Sequence, residues 1–183
     1  MNNFIIFILI LLMAGVFAKA VNAQQLETAD VNLKRYAGRW YEIAKYPNKF
    51  QRNCKANTAA NYTIKDNGKI EVVNECLEAD GSTNRAVGEA KVPNKSEPGK
   101  LKVRFAPGWL SWLPWVWGNY WVIELDPAYQ YSVIGDPDRE YFWILSREPK
   151  MDDATYQGIL ERARAKGFDP AKVELSPQGV SGS

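Results

Sequence analysis

Between residues 39 and 147, apolar and polar positions alternate with a period of two in short runs broken by turn residues, the pattern of β-strands with one buried face. The runs are Trp40–Lys45, Lys55–Ile64, Lys69–Glu75, Asn84–Val92, Leu101–Ala106, Asn119–Leu125, Tyr129–Ile134 and Tyr141–Ser146. Asn67-Gly68 between the second and third runs is a strong two-residue hairpin signal. Gly88 inside the fourth run points to a bulge or bend. Such a succession predicts an all-β, antiparallel sandwich or barrel. The period then changes to 3.6, with Tyr156, Ile159, Leu160 and Ala163 on one stripe, Asp152 or Asp153 as N-cap and Gly167 as the stop. A short strand, Lys172–Leu175, and a Ser/Gly tail complete the chain, with no internal repeat.

The exception to this patterning is Phe4–Ala18, uncharged throughout and shorter than the ~20 residues of a membrane span. It fits the apolar region of a signal peptide. Small residues at Val21 and Ala23 place cleavage after Ala23, with Ala20 as the second site and an uncleaved N-terminal anchor as the alternative. The expected organisation is a signal peptide over 1–23 and one domain over 24–183. Export alters the reading of the two cysteines, since an even count outside the cytosol favours a disulfide. Cys54 and Cys76 lie at the far end of the predicted hairpin, at parities that suit a cross-strand bridge. A catalytic thiol is the competing role, and the chain has no histidine to activate one.

Composition narrows the chemistry. Lys+Arg is 23 against 21 for Asp+Glu, a net charge of +2 without a basic cluster, which argues against nucleic acid as partner. The absence of histidine removes Ser-His-Asp machinery and His-ligated zinc. No glycine-rich phosphate or dinucleotide motif is present, and no cofactor is expected. Seven Trp, nine Tyr and seven Phe provide binding surface instead.

Three motifs in order sharpen the fold. Gly38-Arg39-Trp40-Tyr41-Glu42-Ile43-Ala44 opens the first strand, Leu125-Asp126-Pro127-Ala128-Tyr129 joins the sixth to the seventh, and Trp143-Ile144-Leu145-Ser146-Arg147 ends the eighth. Together they resemble the lipocalin family, nearest its bacterial (Blc-type) members and apolipoprotein D, across roughly Val31–Ser176. The resemblance implies an eight-stranded up-and-down barrel with one C-terminal helix packed outside, in which Arg147 covers the Trp40 ring at the closed end. It implies a non-enzymatic binder of small hydrophobic ligands. Because no cysteine lies near the cleavage site, a lipid-anchored form is not expected, and the location implied is the periplasm, either free or peripheral to the outer membrane.

With Arg147 directed inward, alternation turns Leu145, Trp143 and Tyr141 inward too. Family pairing then places Tyr131 and Val133, and Tyr120 and Val122, on the inner wall. The hairpin contributes Thr58, Ala60, Tyr62, Val72 and Asn74. An apolar wall with a few polar groups suits an amphiphile such as a fatty acid or lysophospholipid; a solidly packed core is the plainer outcome. Glu42 shares the inward parity, unless a bulge in the first strand turns it to solvent. The uncharged segment from Pro107 to Gly118 holds Trp109, Leu110, Trp112, Leu113, Trp115 and Trp117. Its expected roles are docking on a lipid surface, a homodimer contact, or a plug folded onto the barrel. An enzyme acting on a lipid or isoprenoid is the rival function, with only Tyr, Ser and Thr hydroxyls and Glu42 to serve it.

Overall fold

The computed structural model describes residues 25–181, so the signal segment predicted for 1–23 lies outside the described residues. Its strands are β1 (Gly38–Lys45), β2 (Cys54–Ile64), β3 (Ile70–Glu78), β4 (Thr83–Lys91), β5 (Lys100–Arg104), β6 (Gly118–Leu125), β7 (Tyr131–Gly135), β8 (Phe142–Ser146) and β9 (Glu174–Leu175). A one-turn helix, α1 (Leu33–Tyr36), precedes them, and α2 (Asp153–Ala165) follows β8.

All pairings are antiparallel, in the order β2-β3-β4-β5-β6-β7-β8-β1-β9, and a β1–β2 pairing closes the sheet into a barrel. An up-and-down path places the β1–β2, β3–β4, β5–β6 and β7–β8 connections at one end. Trp40, near the start of β1, marks the opposite end.

Two apolar clusters divide the molecule. The inner one joins Trp40, Tyr62, Val72, Ala90, Leu101, Tyr120, Val122, Ile134 and Leu145 inside the barrel. The outer one sets Ile159 and Ala163 of α2 against Ile43, Ile123, Val133, Phe142 and Ile144. The helix starts where Asp152 accepts a hydrogen bond from the Thr155 amide at 2.9 Å, and Arg162 ties it to Glu124 of β6 at 2.8 Å. Gly135 makes room for this packing, because a Cβ there would meet Phe168 at 2.5 Å.

Candidate functional site

The closed end is built from α1 and the two ends of the strand sequence. The Arg147 guanidinium lies 3.8 Å from the Trp40 ring centroid and donates to four carbonyls, those of Arg35, Tyr36, Ala37 and Arg39, at 2.8–3.1 Å. The Trp40 indole N–H donates to the Tyr36 carbonyl at 2.8 Å. The cation is therefore anchored at the floor by three carbonyls on Nη2 and one on Nη1, and Trp40 is wholly buried beneath it.

Above this floor runs a chain of hydroxyls. Tyr62 Oη contacts Tyr120 Oη at 2.8 Å, Tyr120 Oη contacts Tyr36 Oη at 3.0 Å, and Tyr36 Oη contacts Ser132 Oγ at 3.1 Å. Burial pushes the Tyr36 hydroxyl up to about 12, and it raises Tyr62 and Tyr120 well above the ordinary tyrosine value. These hydroxyls stay protonated and bond one another, so the chain is a neutral polar feature within an otherwise apolar inner cluster.

Nearer the open end the inward positions differ: Asn74, Ala86 and Gly88 are small or polar, with Trp143 on the β8 side. From Thr83 to Val87, β4 is exposed on both faces, so water reaches its inward positions at this height. The strand also pairs with β5 only over Glu89–Lys91. Gly88 is needed beside the opening, because a Cβ there would meet the Phe105 ring at 2.7 Å and the Arg104 carbonyl at 2.5 Å. The Cys54–Cys76 disulfide, as expected from the sequence, ties β2 to β3 at this end, with Cα atoms 5.5 Å apart.

Glu42 faces inward, opposite Leu145, and is 3% exposed. The β1 bulge does exist, between Glu42 and Ala44, but it falls after Glu42 and leaves the carboxylate inside. Gln51, from the β1–β2 loop, donates to Glu42 Oε2 at 2.5 Å, and its Oε1 accepts the Trp143 indole N–H at 3.0 Å. Ser176 donates to Glu42 Oε1. Burial raises the carboxyl above its usual value, partly offset by the Ser176 and Gln51 bonds and by the charge of Lys45. Phe50, Tyr141 and Trp143 form a row at the same rim, with ring centroids 5.9 and 5.8 Å apart.

The C-terminal tail completes the wall here. The direct β1–β2 ladder ends at Tyr41–Ala59, and the upper half of β1 pairs with β9 instead. Beyond β9, the Gln178 amide donates to both the Glu42 and Thr58 carbonyls at 2.8 Å, and the Asn57 amide donates to the Pro177 carbonyl at 2.8 Å. The tail thus fills a seam between two barrel strands.

Of the wall residues read from the sequence, Tyr62, Val72, Tyr120 and Val122 belong to the inner cluster, with Ala60 and Trp143 packed against it. Thr58 is buried, Asn74 is half-buried opposite Ala60, and Tyr141 stands at the rim. Tyr131 and Val133 are corrections. Val133 belongs to the outer cluster with α2, and the Tyr131 hydroxyl donates to Glu124 at 3.1 Å beside Arg162. The cause is register: Ser132 pairs with Leu145 and Ile134 with Trp143, so the inward pair on β7 is Ser132 and Ile134. The sequence reading also missed Tyr36, Gln51 and Ser176, none of which lies on a strand of the barrel.

The tryptophan-rich loop splits into two parts. Trp117 is 8% exposed, donates to the Ser111 carbonyl at 2.8 Å and lies under the Lys91 ammonium at 3.8 Å. Trp109, Trp112 and Trp115 are each at least 75% exposed, while Leu110 and Leu113 are half-buried. A plug folded onto the barrel would bury these three rings, and they project outward at the open end instead.

A closed antiparallel barrel with a floor of this kind defines a class, and comparison with known proteins agrees. Residues 31–178 match the family described as Lipocalin-like domain; the chain belongs to the lipocalin family. It is 43% identical to temperature-induced lipocalin-1 of Arabidopsis thaliana over 150 residues, covering 81% of this chain and 80% of that one. It is 36% identical to outer membrane lipoprotein Blc of Escherichia coli, covering 78% and 77%, and 36% identical to mouse apolipoprotein D, covering 81% and 78%. Among solved structures, the cockroach allergen Per a 4 aligns with a TM-score of 0.63 at 23% identity, covering 84% of this chain and 91% of that one. Lobster apocrustacyanin A1 aligns with a TM-score of 0.62 at 17% identity, covering 81% of each chain. These two speak for the fold alone. The sequence relatives come from a plant, a bacterium and a mammal, so they do not single out the bacterial branch.

Proposed function

We propose that this lipocalin is a non-enzymatic carrier that holds one amphiphile, of the fatty acid or lysophospholipid kind, in a chamber at the open end of its barrel. The carrying observation is the solvent-reached inner face of β4, set above a floor packed with aromatic rings. An apolar tail gains by descending among Trp143, Val72 and Ala60, and a small polar head finds Asn74, Thr58 and Glu42 at the rim. The outward Trp109, Trp112 and Trp115 carry the membrane part of the reading. Uncharged indoles on a loop beside the opening favour a bilayer interface, which would turn the opening toward its source of ligand. Export through the Phe4–Ala18 segment and residence near the outer membrane fit a relative named as an outer membrane lipoprotein.

Displacement of a neutral fluorescent probe tests the carrier. Saturable displacement by oleate or a lysophospholipid at one site per chain is the expected result, and no displacement by either overturns the reading. Vesicle co-sedimentation tests the loop: replacing Trp109, Trp112 and Trp115 together with Ala should abolish it at least ten-fold while leaving probe binding intact. Equal sedimentation of the two forms removes the membrane part, and a monomer–dimer shift on substitution identifies a homodimer contact instead.

A further inference from the structure

The head-group end of the chamber has a sign. We propose that Glu42, Gln51 and Trp143 form a head-group site that selects amphiphiles with a positively charged, hydrogen-bond-donating head, such as a long-chain alkylammonium, over carboxylates of the same chain. This rests on the carrier reading and shifts its preferred ligand from a fatty acid to an amphiphile with a cationic head.

Four observations carry it. Glu42 is a carboxylate 3% exposed, on an inward strand position, and Gln51 already places an N–H donor on its Oε2. A ligand ammonium takes over the place of that amide, and Gln51, which stands on a short, half-exposed turn, Lys49–Gln51, keeps its Oε1 bonds to Asn48 and Trp143 or exchanges them for water. Trp143 and Tyr141 add aromatic faces at the same rim, the usual companions of a bound ammonium. The charges around Glu42 then decide the sign. Arg147 is consumed at the floor by four carbonyls and the Trp40 ring. Lys45, across the ladder from Trp143, is the cation at the inner rim, and it is paired with Glu174 at 3.5 Å. Lys45 is thus shared with the exposed Glu174, and Lys49 and Arg52 of the β1–β2 loop stand in solvent, Lys49 over the Phe50 ring at 5.3 Å, so Glu42 is the buried charge at this rim. A ligand carboxylate seated there meets like charge in a poorly solvated place, whereas an ammonium supplies the counter-charge that buried Glu42 lacks.

The test uses oleylamine, oleate and oleyl alcohol below their aggregation limits, each displacing the same neutral probe from the full-length mature chain at neutral pH. Oleylamine should displace at a concentration at least ten-fold lower than oleate, with the alcohol between them. Glu42→Gln, nearly isosteric, should bring the three within about three-fold of one another, chiefly by weakening the amine. Gln51→Ala serves as the second variant: removing the donor that occupies Glu42 Oε2 should raise the amine-to-oleate preference above that of the parent chain. Near-UV circular dichroism verifies that each variant keeps its packing. If oleate equals or exceeds oleylamine, or the ratio survives Glu42→Gln in a folded protein, the head-group selection is wrong while the carrier stands. If none of the three displaces the probe, both fall.

Discussion

Ser176 Oγ donates a hydrogen bond to Glu42 Oε1 at 2.5 Å, joining positions 134 residues apart. The contact matters because the tail that carries Ser176 closes the seam where β1 and β2 part, and Glu42 lies just inside it. A carboxylate in that position is dry, which raises its proton affinity over that of the unfolded chain. The native state therefore holds this proton more tightly. The stabilisation is present below the ordinary carboxylate value and is lost as pH rises through the raised one. Other carboxyls shift the opposite way, including Asp152 at the helix N-cap, so the informative quantity is the difference between the protein and Glu42→Gln. Urea titrations across pH 4–8 should show that difference moving against the parent chain as pH rises; a flat difference contradicts the burial of the carboxylate.

The tail itself is held mainly by backbone and amide bonds. Leu175 is 66% exposed and Val180 44%, so little apolar surface fastens it. Ending the chain at Val173 should keep the barrel folded at a loss of about 1–3 kcal/mol, the scale of a few net hydrogen bonds. Amide exchange at Asn57 should accelerate, since its N–H donates to the Pro177 carbonyl. Unchanged exchange there would mean that the tail does not close the seam.

Tyr120 sits in the middle of the buried hydroxyl chain and Tyr62 at one end. Tyr120→Phe leaves Tyr36 with Ser132 alone and Tyr62 with no partner, at a cost of about 2 kcal/mol. Tyr62→Phe removes a terminal member and should cost less, about 1 kcal/mol. Equal costs in thermal denaturation would show that the hydroxyls do not act as a chain.

Reducing the Cys54–Cys76 bridge, which spans 22 positions, should cost about 3 kcal/mol through the freed unfolded chain. The bridge also anchors β2 immediately after the loop that bears Gln51, so reduction should weaken head-group discrimination more than tail binding. Comparison of the double Cys→Ser variant with the oxidised protein in the three-ligand displacement assay checks this.

Strand identity was legible because alternation and turn chemistry are local. All eight barrel strands and the helix fall within a few residues of the runs read from the sequence. Faces were legible only where no register shift intervened. On β7 the inward set depends on how its ladder meets β8, and odd positions of one strand oppose even positions of the other, so Tyr131 and Val133 turn toward α2. A further shift between Val122 and Glu124 carries Glu124 outward to Arg162. Strand periodicity cannot report either, because a single displaced residue exchanges the two faces. Gln51, Tyr36 and Ser176 reach the chamber from a loop, a one-turn helix and a tail, elements whose placement depends on the finished barrel.

Native mass spectrometry of the protein purified without delipidation tests the carrier most directly. The expected spectrum shows one amphiphile per chain, released on collisional activation and exchanged by added oleylamine or lysophospholipid. A spectrum of the bare chain that acquires no adduct when these ligands are added would contradict the carrier.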